Sequence, residues 1–304
     1  MVKVLRLIVP AAIVAAGIAW GMTAPKPVAE DAFASPEGGE VARGETVFRA
    51  AGCGTCHAAP GAEGDDKLVL AGGQSFPSPF GAFTAPNISP DPDHGIGEWS
   101  LQDLANALLH GVSPEGVHYF PAFPYTSYTH MGDRDIVDLY AYLQTLPASS
   151  APSQPHEVGF PFNIRRSLGG WKFLFLKDDW VMDGNDLGAE LTRGRYLVEA
   201  LGHCAECHTP RNALGGLDRS RWMAGAPDPS GKGTIPALTP DKLSWSATDI
   251  AYYLESGFTP EFDSAGGHMA AVVENTSRLP AEDRAAIAAY VKALPVPVAA
   301  STGY

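Results

Sequence analysis

Apolar positions along the 304 residues follow three patterns. The first is a continuous run, Leu7 to Met22, behind Lys3 and Arg6. About 18 apolar residues rising ~1.5 Å each give ~27 Å of helix, close to a bilayer core. Gly21-Met22-Thr23-Ala24 fits a small-x-small cleavage site poorly, so residues 1–24 read as an uncleaved anchor, the basic end cytoplasmic and the remainder exported. A cleaved secretory signal is the alternative, and it too places the rest of the chain outside the cytoplasm. Residues 25–37, rich in Pro, Ala and Glu, read as a tether.

The second pattern is helical and occurs twice. Ile136, Leu139, Tyr140 and Leu143 share one face of a helix over Asp133–Thr145, and Ile287, Tyr290, Val291 and Leu294 share one face of another opened by Pro280. Each ends at Leu-Pro, Leu146-Pro147 and Leu294-Pro295. Upstream, Trp99-Ser100-Leu101-Gln102-Asp103 matches Trp245-Ser246-Ala247-Thr248-Asp249. In both, Ser followed three residues later by Asp opens a helix that a glycine, Gly111 or Gly257, closes. Arg43-Gly44-Glu45 matches Arg193-Gly194-Arg195, and Pro86-Asn87-Ile88-Ser89-Pro90-Asp91 is echoed by Pro236-Ala237-Leu238-Thr239-Pro240-Asp241. The chain is an internal duplication. The third pattern lies between the copies. Residues 148–187 begin polar and Pro-rich, then bring Phe160, Phe162, Trp171, Phe173, Phe175 and Trp180, which predicts a segment packed across the seam.

The duplication is centred on Cys53-Gly54-Thr55-Cys56-His57 and Cys204-Ala205-Glu206-Cys207-His208. C-x-x-C-H is the pattern of covalent haem attachment: two thiols add to the haem vinyl groups and the adjacent imidazole becomes the proximal iron ligand. These motifs use all four cysteines of the chain. A zinc site built from both pairs would leave His57 and His208 unexplained. At the seam, Arg165 and Arg166 are candidates to pair with the carboxylates of acidic side chains or with the propionates of a haem. The abundance of glycine (33) and proline (26) predicts long loops, as suits a core made largely of cofactor. The net charge of -13 excludes nucleic acid as the partner.

Beyond these patterns, Gly95-Ile96-Gly97-Glu98-Trp99-Ser100, Tyr119-Phe120-Pro121-Ala122-Phe123-Pro124 and Gly202-His203-Cys204-Ala205-Glu206-Cys207-His208-Thr209-Pro210-Arg211-Asn212 carry a resemblance. Residues 38 to 297 resemble tandem class I cytochrome c domains, in particular the haem subunits of periplasmic quinoprotein alcohol dehydrogenases and their relatives. Those subunits often carry three haems, and this chain has motifs for two. The resemblance implies a mainly α fold of two cytochrome c domains, 38–147 and 188–297, joined by 148–187 and followed by a tail, 298–304. It also implies a periplasmic dehydrogenase as electron donor, with a cytochrome, an oxidase or a quinone-linked component as acceptor. The leading expectation is a membrane-tethered dihaem protein on the periplasmic side that relays single electrons. A haem enzyme with chemistry at the first haem, of peroxidase or sulfur-oxidising type, is the alternative, and a haem-bearing scaffold a third.

The sixth iron ligand separates these expectations, because methionine raises the potential and an open position admits small molecules. Met269, in Gly266-Gly267-His268-Met269-Ala270, is the candidate for the second haem. In the first half the related Pro-Ala-Met-Pro reads Pro121-Ala122-Phe123-Pro124, and phenylalanine cannot bind iron. Met131 is the candidate there. His118, His130, Met182 and an open iron are the alternatives.

Overall fold

The computed structural model describes residues 2–29, 32, 33, 38–184, 187–229, 231 and 233–297. The amino-terminal apolar run is a helix, α1 (Val2–Met22), with Pro10 inside it. The side chains of 2–9, 11 and 12 are outside the described residues, as are the tail 298–304 and part of the tether. Among the described residues no helix is long and apolar enough to cross a membrane.

The first half contains α2 (Val41–Ala50), α3 (Cys53–His57), the hairpin β1 (Ser75–Ser78) and β2 (Gly81–Thr84), α4 (Leu101–His110), a single turn α5 (Tyr125–Tyr128) and α6 (Asp133–Leu143). The connection supplies β3 (Glu157–Val158), which joins the hairpin edge with Gly81 opposite Val158, and α7 (Ser167–Phe175). The second half repeats the plan. α8 (Ala189–Arg195) runs on as a π-helical stretch, Tyr196–Leu201. α9 (Ala205–His208), the short pair β4 (Ala226–Pro227) and β5 (Thr234–Ile235), α10 (Ala247–Ser256), α11 (Gly267–Thr276) and α12 (Ala281–Ala293) follow.

The duplicated residues have duplicated work. Ser100 and Ser246 each accept a hydrogen bond from the backbone of the Asp three residues on, whose carboxylate bonds back to the serine nitrogen, and Gly111 (φ 58°) and Gly257 (φ 77°) close α4 and α10. Within each half the leading helix crosses the closing helix, α2 on α6 and α8 on α12, at a glycine. A Cβ on Gly44 would lie 2.0 Å from the Asp138 carbonyl oxygen, and one on Gly194 2.1 Å from that of Ala286. The preceding arginines fasten the same crossings: Arg43 reaches Asp138 at 3.1 Å, and Arg193 grips Asp283 through two contacts of 2.7 Å. Around the crossings Phe48, Leu70, Ile136, Leu139 and Tyr290 are fully buried, each contributing about 2 kcal/mol by removal from water.

The connection packs across the seam as its aromatic content predicts. Trp180 stacks on His130 of the first half, centroids 4.2 Å apart, while Arg195 of the second half lies 4.6 Å from its ring. Trp171 meets Tyr125 edge-on and donates from Nε1 to the Leu214 carbonyl at 2.9 Å. Phe160 and Phe173 are instead largely exposed. Among the described residues neither Arg165 nor Arg166 pairs with a carboxylate side chain. Arg165 lies over the Phe120 ring at 3.8 Å and donates to the His118 carbonyl, and Arg166 lies over Trp20 at 4.1 Å.

Candidate haem-attachment sites

Each attachment motif turns on a short helix because the cysteines need to face one cleft together, which an i, i+3 spacing achieves. All four thiols are free. His57 Nδ1–H donates to the Pro86 carbonyl at 2.8 Å, and His208 Nδ1–H to that of Pro236 at the same distance. A backbone carbonyl on Nδ1 fixes ring orientation and tautomer and leaves the Nε2 lone pair for a metal. Burial holds both imidazoles below their ordinary pKa, with the carbonyl contact opposing more weakly, so both are neutral. Among the described residues no group of three or more His, Cys, Asp or Glu is placed to hold a metal ion by itself. Paired free thiols with an oriented neutral imidazole therefore fit haem c, and they do not fit zinc.

The distal side differs between halves. The backbone registers match closely: Tyr119 N bonds to Gly111 O as Ala265 N bonds to Gly257 O, each at the close of a turn after the helix. Counting on from those bonds puts Phe123 opposite Met269. Both are half-buried. Phe123 is packed by Tyr119, Tyr125 and Tyr128 at 5.7–6.4 Å between centroids. Met131 is buried, 5% exposed, immediately before α6, where its nitrogen bonds to Tyr128 O. Leu279, 4% exposed before α12, makes the matching bond to Thr276 O.

The alternative ligands have other partners. His118 uses both ring nitrogens, on Thr23 O and on Lys172 Nζ, each 3.0 Å away. His130 stacks on Trp180, and Met182 packs at the edge of the core with its backbone nitrogen on Glu199.

The sequence motifs alone leave out how the two sites meet. Burial pushes the Cys56 thiol up to about 11, and its second cause is the neighbouring thiol of Cys207 in the other half. Thr126 donates to Glu206, inside the second motif, at 2.9 Å, and Asn275 donates to Thr55, inside the first, at 2.9 Å. Thr55 and Glu206 hold the same place in their motifs. Their partners show no periodic or motif signal, so only the folded chain reveals them.

A family model described as Cytochrome c matches residues 41–147 and 191–295. A "Diheme cytochrome c-type" protein of Cereibacter sphaeroides is 61% identical over 257 residues, covering 84% of this chain and 86% of the relative. The "Fructose dehydrogenase cytochrome subunit" of Gluconobacter japonicus is 38% identical over 84% of this chain and 52% of its own length. The "Alcohol dehydrogenase (quinone), cytochrome c subunit" of Gluconobacter oxydans is 32% identical over 84% of this chain and 55% of its own. The chain thus spans about half the length of those two dehydrogenase subunits.

Proposed function

The chain belongs to the cytochrome c family and carries two covalently attached haem c groups, and from that premise we propose that it is the electron-relaying subunit of a periplasmic dehydrogenase. The observation that carries this reading is the repeated pair of oriented imidazoles, His57 on Pro86 and His208 on Pro236. The haems supply one-electron chemistry; the chain binds them, orients them and shields them from water.

In this reading Cys53 and Cys56 hold the first haem and Cys204 and Cys207 the second, with His57 and His208 as proximal ligands and Met269 as the sixth ligand of the second iron. The match of Phe123 to Met269 and of Met131 to Leu279 supports Met131 as a packing residue, and in this reading the first iron has no methionine from its own distal loop. Unlike sixth positions give unlike potentials, hence a direction for electron flow. Donors named on the relatives oxidise fructose and alcohols; a dehydrogenase of that kind is the proposed partner, with a cytochrome, oxidase or quinone-linked acceptor beyond. The α1 run is the proposed anchor on the periplasmic face of the inner membrane, its basic end cytoplasmic.

Stopped-flow mixing of the oxidised holoprotein with a quinoprotein dehydrogenase and its substrate tests the reading. Both haem α-bands should develop faster than with substrate alone. Reduction that is no faster with the dehydrogenase present, together with turnover of peroxide, would favour an enzyme.

A further inference from the structure

His203 directly precedes Cys204 and has φ 38°, in the left-handed region, where the corresponding residue before Cys53 is Gly52 at φ 62°. That backbone is strained for a residue with a Cβ and persists only where the surroundings over-determine it. The surroundings here belong to the other half. His203 Nε2–H donates to the Ala51 carbonyl at 3.3 Å, two residues before Cys53, and its ring meets Tyr128 edge-on at 5.7 Å. Tyr128 donates to the same carbonyl at 3.2 Å. On the flanks lie the Thr126–Glu206 and Asn275–Thr55 bonds, and Lys67 pairs with Glu274. All of these cross-seam contacts but the Lys67–Glu274 pair end on an attachment motif or within two residues of one.

We propose that this seam is the route by which the two haems exchange electrons, and that His203 is its positioning residue, fastening the approach to Cys204 onto the approach to Cys53. The inference rests on the relay reading. One electron crosses per event, one iron being oxidised and the other reduced, with no bond made or broken. A fixed separation between the attachment sites is what such a step requires, since a strained histidine serves no purpose within its own half that the glycine of the first copy does not serve.

The test is H203G in the full holoprotein. Gly52 shows that glycine suits this backbone, so both haems should attach and their separate spectra and midpoint potentials should stay unchanged. After a substoichiometric pulse of radiolytic electrons, the phase in which one haem reoxidises as the other is reduced should slow at least about tenfold. H203Q, whose amide nitrogen can stand near the place of Nε2 and donate to Ala51, should recover most of the rate. A haem-to-haem phase in H203G within twofold of wild type overturns the proposal. If H203G loses its second haem, H203F keeps a ring against Tyr128 and removes the donor to Ala51, and a normal rate there overturns the proposal equally. Wild type lacking any haem-to-haem phase, yet reduced at both haems by a dehydrogenase, sinks the seam route and spares the relay; wild type that no dehydrogenase reduces sinks the relay itself.

Discussion

Lys172 of the connection places its Nζ 2.8 Å from the carbonyl oxygen of Gly111, the residue that closes α4. It also donates to His110 O at 2.5 Å and contacts His118 Nδ1 at 3.0 Å, so one side chain ties α7 to the carboxy end of α4. Burial pushes its pKa down to about 7. Between that value and the ordinary 10.5 the unfolded chain holds the proton and the folded chain has released it, so stability rises with pH across this window and levels off below 7. His110 and His118 are held below their ordinary range by burial and stay neutral there. Thermal melts from pH 7 to 10 should show this rise in wild type and lose it in Lys172→Met. An equal slope in both would show that the ammonium stays charged in the fold.

Gly44 and Gly194 allow the two helix crossings. With a Cβ 2.0 or 2.1 Å from a carbonyl oxygen there is no rotamer to relieve the clash, and the helices have to separate. Gly194→Ala should cost about 3 kcal/mol in urea denaturation, at the upper end of overpacking penalties. Gly44→Ala should cost a similar amount. A loss below about 1 kcal/mol for either would mean that the crossings can spread.

What was legible in the sequence is what repeats or has a period. The capping boxes at Ser100 and Ser246, the glycine stops and the closing helices follow from local chemistry, which is the same in any fold. Arg43 and Arg193 were visible as repeated residues, but their carboxylates were not, because Asp138 and Asp283 differ in register along α6 and α12. Arg165 and Arg166 lie over aromatic rings that nothing in the sequence pairs with them, since guanidinium takes an aromatic face as well as a carboxylate and only the fold brings the ring to it. His203 stands beside a motif in the sequence, and the backbone it meets is 152 residues away.

Glu199, buried at 4%, accepts from Val181 N at 2.8 Å and Met182 N at 3.1 Å, and Tyr290 donates its hydroxyl to the same carboxylate. It fastens the end of the connection to the second half as Lys172 fastens its helix to the first. Glu199→Ala strands three donors and should cost about 3 kcal/mol, while Glu199→Gln keeps one acceptor and should cost about half as much. Limited proteolysis between residues 176 and 184 should quicken in the alanine variant. Unchanged cleavage would show that the aromatic contacts of Trp180 hold the segment without the carboxylate.

Met269 and Met131 make opposite predictions from similar positions in the sequence. Met269 is half-buried in the first turn of α11, packed against the core, whereas Met131 is enclosed in the core at the place of Leu279. Met269→Leu should therefore remove the sixth ligand, turn the second haem high-spin and lower its potential, since thioether ligation favours the ferrous state. Met131→Leu conserves volume, so it should cost less than about 1.5 kcal/mol and leave both haem spectra as they were. Oxidised-state EPR with near-infrared magnetic circular dichroism reads both outcomes. A first haem that is low-spin His/Met in wild type and changes in Met131→Leu would place that sulfur on the iron and make Phe123 an incidental neighbour. An unchanged spectrum would leave Phe123 as the reason the two irons differ.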